Sequence, residues 1–175
     1  MTELILRLSR HDERALEALL LRRRWWADHL MRAVTHLGGA TVSIALALGL
    51  LLAAPAGPLH RAGALGALAL ALSHGLVQLV KRSVNRPRPR LPVGLESLVR
   101  APDRFSFPSG HAAASLSVAL PLAWAIGGLG GAGIGSLGLA VGFSRAYLGV
   151  HYPGDVLVGW LLALVGIGAG AMIGV

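Results

Sequence analysis

Residues 153–175, PGDVLVGWLLALVGIGAGAMIGV, hold a single charge, Asp155, and then run apolar for twenty residues. A helix of that length rises about 30 Å, the hydrocarbon thickness of a bilayer. Four further stretches of this kind precede it, at Ala33–Ala54, Ala62–Val80, His111–Ile126 and Gly131–Leu148. The pattern predicts an all-α integral membrane protein, a bundle of about five transmembrane helices.

The composition agrees with that reading. Across 175 residues, 54% are hydrophobic and 14% charged, which excludes a disordered tail, and the absence of cysteine excludes a disulfide scaffold, thiol catalysis and Cys-ligated metal. The glycines between Gly127 and Gly142, and the series Gly166, Gly170, Gly174, lie inside apolar helices at spacings that make small packing faces rather than phosphate loops, and no Walker pattern is present.

Upstream, residues 3–24 place Leu4, Ile5, Leu8, Ala15, Leu16, Leu19 and Leu20 on one helical stripe, with Arg7, Arg10, Arg14 and Glu17 off it. Trp25 and Trp26 beside Arg22, Arg23 and Arg24 suit a headgroup-level belt. The reading is an amphipathic interfacial helix over residues 1–28 followed by a transmembrane domain over 29–175; the alternative is a surface helix packed on that domain.

Five alternating spans bring the segment from Lys81 to Gly110 and the junction from Phe143 to Gly154 to the side that holds the amino terminus. These two stretches carry nearly all the unusual chemistry. Lys81, Arg82, Arg86, Arg88 and Arg90 crowd the exit of the second span, with Pro87 and Pro89 stopping the helix and holding the loop extended. Taken alone, such a cluster is more commonly the basic flank of a membrane span than an anion site. Pro108-Ser109-Gly110-His111 opens the third span, where first-turn amides near Ser109 and Gly110 have no intrahelical partner and suit an anion, unless Ser109 is a simple cap.

Ser144-Arg145 closes the fourth span, and His151 and Asp155 bracket the start of the fifth. Four residues apart at a helix start, they can face the same way, so Asp155 can fix the tautomer of His151 and leave its other nitrogen as base or nucleophile. A structural His–Asp cap is the plain alternative. Together, two histidines, one carboxylate and three cations on one membrane face meet the needs of phosphoryl transfer: cations and amides for the equatorial oxygens, one imidazole to attack, one to protonate the leaving oxygen.

Three signatures in order now carry a resemblance: Lys81, six residues, Arg88-Pro89; Pro108-Ser109-Gly110-His111; and Ser144-Arg145, five residues, His151, three residues, Asp155. In these the sequence resembles the type 2 phosphatidic acid phosphatases, membrane lipid phosphatases that share a superfamily with the vanadium haloperoxidases. The resemblance implies that His151 is the nucleophile and forms a phosphohistidine, Asp155 orients it, and His111 is the acid for the leaving group. It assigns Lys81, Arg88, Ser109, Gly110 and Arg145 to phosphate binding. It also implies chemistry without metal or other cofactor, in keeping with the lack of clustered carboxylates. Members of that family commonly have six spans, and here a short helix replaces the first.

Of sixteen Lys and Arg, only Arg61 falls on the far side of the membrane. The positive-inside rule then places the active site on the cytoplasmic side of what is expected to be a bacterial plasma membrane. The substrate expectation is a lipid phosphate, whether phosphatidylglycerol phosphate, phosphatidic acid or a polyprenyl phosphate or diphosphate. An outward-facing undecaprenyl diphosphate phosphatase is the alternative. A vanadate-dependent haloperoxidase is disfavoured by five apolar spans, and transport by His36 and His74 lacking a carboxylate relay. A non-catalytic scaffold would leave the signature residues idle, and a nucleic-acid partner is excluded by a basic loop without interleaved aromatics.

Overall fold

The computed structural model describes residues 2–53 and 56–174, with side chains from Arg10 onward. Seven helices account for most of these residues: α1 Thr2–Leu20, α2 Trp25–His36, α3 Ala40–Ala53, α4 Pro58–Val84, α5 Gly110–Ile126, α6 Gly128–Tyr147 and α7 Pro153–Met172. By length and apolar content α4 and α7 can each cross a membrane, and α2 with α3 makes a third candidate as a bent pair. The chain is thus all-helical and membrane-integral with two to three candidate spans; α5 is apolar but has only 17 residues.

Local chemistry sets the helix ends. Pro58 stands in the first turn of α4, and the helix stops at Asn85, in the left-handed region at φ 50°, because Pro87 bars the helical conformation at Arg86. The Ser109 hydroxyl caps α5 by accepting from the Ala112 amide. Gly127 and Gly128, at φ 66° and 55°, make the tight turn from α5 to α6.

α5 lies against α4, α6 and α7, so the four helix ends that carry the signature residues meet at one end of the bundle. Close approach depends on small residues. A methyl group on Gly159 would run into the Ser109 carbonyl, and one on Gly166 into the carbonyl of Ala69. Gly170 likewise faces Leu65, whereas Gly174 lies beyond the end of α7 with nothing near it and does not continue the packing face.

The first apolar stretch, expected as one span over 33–54, is broken. Residues up to His36 belong to α2, residues 37–39 form a turn, and α3 leaves at a 53° bend. The break falls at Gly38 and Gly39, and Gly38 sits so tightly against Val141 and the His111 carbonyl that no side chain fits there. Ala54 and Val175, the expected ends of the first and fifth stretches, lie outside the described residues.

The amino-terminal helix also differs from the expectation over 3–24. α1 ends at Leu20, and the connection is tied down by Arg23, which donates to the carbonyls of Tyr147 and Glu96. Leu16 and Leu20 are buried against Tyr152, Leu91 and Leu95, so this half of the stripe covers protein rather than lipid. The side chains of Leu4, Ile5, Arg7 and Leu8 lie outside those described. Trp25 and Trp26 remain outward, 77% and 57% exposed.

Candidate active site

The site forms where the carboxyl ends of α4 and α6 meet the amino ends of α5 and α7, under the loop that joins α4 to α5. Pro87 and Pro89 keep that loop extended, and a single bridge from Pro87 to Phe105 folds it back on itself. The return strand carries Asp103 over the end of α4. There its carboxylate accepts from Lys81 Nζ at 2.6 Å through one oxygen and from Arg88 Nη2 at 2.9 Å through the other. Partial burial works to raise the Asp103 carboxyl, but the hydrogen bond and charge of Lys81, joined by Arg88, outweigh it and hold the group below the usual carboxylate range.

Arg88 is held on three sides. Its Nε donates to the Asp103 carbonyl at 3.2 Å, and its Nη1 donates to the Val150 carbonyl at 2.6 Å and to His151 Nε2 at 2.8 Å. An arginine can only donate, so Nε2 is the lone-pair nitrogen of His151 and Nδ1 bears the proton. Nδ1 faces Asp155 Oδ2 at 3.5 Å, within ion-pair range though too long for a hydrogen bond. His151 is 1% exposed. Burial pushes its imidazole down to about 4, with the Asp155 carboxylate opposing and the Arg88 charge assisting, so it is neutral near pH 7.

Asp155 is fully buried and divides its oxygens. Oδ2 also accepts the Tyr152 amide at 2.8 Å, which caps α7, while Oδ1 accepts Arg86 Nη1 at 2.7 Å. Its carbonyl accepts the Ser109 amide at 2.9 Å and so ties the start of α5 to the start of α7. That bond commits the backbone donor of Ser109, and its hydroxyl oxygen accepts from Ala112 at 3.4 Å. The hydroxyl hydrogen and the next two amides, of Gly110 and His111, face no intrahelical acceptor.

On the other side stands Arg145, 2% exposed in the last turn of α6. Its Nη1 donates to Thr35 Oγ1 at 2.7 Å, while Nε and Nη2 are buried with no partner among the described residues. Unspent buried N–H groups on a cation are costly and mark a place for an anion. Half-buried His111, second residue of α5, lies within electrostatic reach of Arg145, His151, Lys81 and Arg88. Among the described residues no group of three or more His, Asp or Glu side chains is gathered for a metal ion.

All eight residues singled out from the sequence therefore lie at this end of the bundle. Four neighbours were not singled out. Arg86 had a signal, since the alternation of prolines from Arg86 to Arg90 puts every arginine on one side of an extended chain. Asp103, Asp12 and Thr35 had none, because only the folded chain brings them to Lys81, Arg86 and Arg145.

A model of the PAP2 superfamily matches residues 63–173. The chain is 39% identical over 133 residues to decaprenylphosphoryl-5-phosphoribose phosphatase of Mycolicibacterium smegmatis, spanning 73% of this chain and 68% of that protein. It is 30% identical over 176 residues to phosphatidylglycerophosphatase B of Bacillus subtilis, spanning 88% and 78%. The crystal structure of a transmembrane PAP2-type phosphatidylglycerolphosphate phosphatase from Bacillus subtilis resembles it with a TM-score of 0.75 and 26% identity, over 95% of this chain and 85% of that one.

Proposed function

The chain belongs to the PAP2 superfamily of membrane lipid phosphatases, and on that premise we propose that it hydrolyses a phosphate ester or diphosphate of a membrane lipid through a phosphohistidine on His151. One observation carries this reading. The Asp103 carboxylate shows that an oxyanion fits between Lys81 and Arg88, and the same guanidinium touches the lone-pair nitrogen of His151. A phosphate taking that place, with Arg145 and the first-turn amides of α5 on its remaining oxygens, presents phosphorus to Nε2.

In the first step Arg88 yields its bond to Nε2 and takes a phosphate oxygen. Nε2 attacks phosphorus, the bond from phosphorus to the lipid oxygen breaks, and His111 gives that oxygen its proton. Asp155 faces the Nδ1 proton and stabilises the cationic ring. In the second step His111 takes a proton from water as its oxygen attacks phosphorus, the phosphorus–nitrogen bond breaks, and inorganic phosphate leaves with His151 restored.

A neighbouring cavity suits the tail. An apolar cavity of about 310 Å³ between α3, α4 and α5, lined by Ala40, Ile44, Ala47, Leu70, His74 and Ala114, begins one turn below His111. Helices α3 to α7 are read as five spans with the site on the amino-terminal side. Twelve Lys and Arg on that side, apart from Lys81, Arg88 and Arg145, against Arg61 on the other support a cytoplasmic site. The names of the two relatives favour phosphomonoesters carried on a polyprenyl or glycerolipid anchor.

The test is phosphate release by the purified protein in detergent with EDTA. The panel is decaprenylphosphoryl-5-phosphoribose, phosphatidylglycerol phosphate, phosphatidic acid and polyprenyl mono- and diphosphates, with a His151→Ala control. Turnover of one class that vanishes in the variant is the expected result; turnover of none, or turnover that survives His151→Ala, overturns the reading.

A further inference from the structure

Helix α1 reaches the catalytic dyad through two residues that touch none of the reacting atoms. One carboxylate oxygen of Asp12 accepts the Gly154 amide at 2.7 Å, and the other lies 2.8 Å from Arg86 Nη1. Gly154 is the second residue of α7, so Asp12 satisfies an orphan first-turn donor of that helix from outside it and sits at its positive end. The same Arg86 nitrogen donates to Asp155 Oδ1 at 2.7 Å, and the guanidinium lies 3.9 Å from the centre of the Tyr152 ring. Leu16 and Leu20 of α1 pack on that ring.

The geometry decides which way Asp155 points. A buried carboxylate needs a counter-charge, and Arg86 supplies it on Oδ1. With Oδ1 pinned, Oδ2 is left on the side of the Tyr152 amide and His151 Nδ1. If Arg86 were lost, Asp155 would be short of a cation and free to turn toward Arg88, away from the imidazole it has to orient.

We propose that α1 is a working part of the catalytic centre: Asp12 positions Arg86, and Arg86 fixes the Asp155 carboxylate so that it orients His151. The proposal rests on His151 being the nucleophile. Lys81, Arg88 and Arg145 are held by other partners, so the loss of Asp12 or Arg86 falls on the chemical step and leaves phosphate binding in place.

The experiment measures kcat and KM of the full chain in detergent micelles, using whichever of phosphatidylglycerol phosphate, phosphatidic acid and the polyprenyl phosphates turns over fastest. The variants are Asp12→Asn, Arg86→Gln, Arg86→Lys and the double variant Asp12→Asn/Arg86→Gln, each with its melting temperature. Hydrogen bonds to charged groups set the scale: kcat falls at least ~10-fold in Arg86→Gln and ~3-fold in Asp12→Asn, with KM within about twofold. Arg86→Lys recovers part of the loss, and the double variant is no slower than Arg86→Gln, because Asp12 acts through Arg86. An unchanged kcat, a loss confined to KM, or losses that multiply in the double variant overturn the proposal and leave α1 a docked helix. If Arg86→Gln does not fold, the cycle of Asp12→Asn with Arg86→Lys carries the same test. Wild-type turnover that disappears in His151→Ala, run alongside, separates failure here from failure of the proposed function.

Discussion

The two walls of the proposed phosphate site are built differently. On the loop wall, Lys81 and Arg88 are matched by the Asp103 carboxylate, and Arg86 is shared between Asp12 and Asp155. On the helix wall, among the described residues, Arg145 has only a neutral hydroxyl, that of Thr35, and keeps two nitrogens unspent. A charge-matched wall is held in place before substrate arrives and exchanges Asp103 for it, while a starved one gains most when an anion arrives. On the proposed function, the loop wall presets the geometry of His151, and the helix wall is expected to supply most of the differential attraction for phosphate.

That contrast predicts the largest variant effect on the starved side. Arg145→Ala lowers kcat/KM by ~10³-fold, at the upper end for loss of one oxyanion donor, measured as lipid phosphate turnover. Thr35→Val, which removes only the partner of Arg145, has the same direction and a smaller size. If Arg145→Ala were milder than Asp103→Asn, the contrast would be reversed.

Next in size is His111→Ala. A monoester expels a poor alkoxide and loses ~10²-fold, whereas a diphosphate expels phosphate and needs little acid help. Parallel assays on phosphatidic acid and a polyprenyl diphosphate check this, and equal losses would remove His111 from the role of acid.

On the matched wall the sign inverts. Asp103 competes with phosphate for Lys81 and Arg88, so Asp103→Asn tightens inhibition by inorganic phosphate by up to ~10-fold, read as a lower inhibition constant. Weaker inhibition would mean that Asp103 chiefly organises the two cations.

The smallest effect lies between the walls. His151 is depressed from its ordinary value to about 4. The unfolded chain therefore takes up a proton near pH 6.5 that the folded chain refuses until about pH 4, and stability falls as pH drops through that window. Melting temperature against pH should show a decline that His151→Asn lessens; identical curves would mean that His151 is not held neutral by the fold.

That the eight residues gather at one end of the bundle was legible in the sequence, because their spacings put them at helix ends or just beyond them. The apolar stretches were legible in composition; of the five expected spans, α4 and α7 are long and apolar enough to cross a membrane, with α2 and α3 as a bent third candidate. The break before α3 was not: Gly38 and Gly39 are as apolar as their neighbours, and only the folded chain shows Gly38 pressed against Val141 and the His111 carbonyl at the bend. α1 was half legible, since its stripe was visible but not whether lipid or Tyr152 would cover it. Asp103 and Asp12 were silent because a single acidic residue carries no pattern, and its partners are 22 and 74 positions away, at Lys81 and Arg86.

The decisive measurement is rapid quenching of the enzyme with a lipid substrate labelled at phosphorus. The structure predicts a burst of label on the protein that is stable in alkali, lost in acid, located at His151 and absent from His151→Ala. Turnover by wild type with no label on the protein, or with label on any other residue, would contradict it.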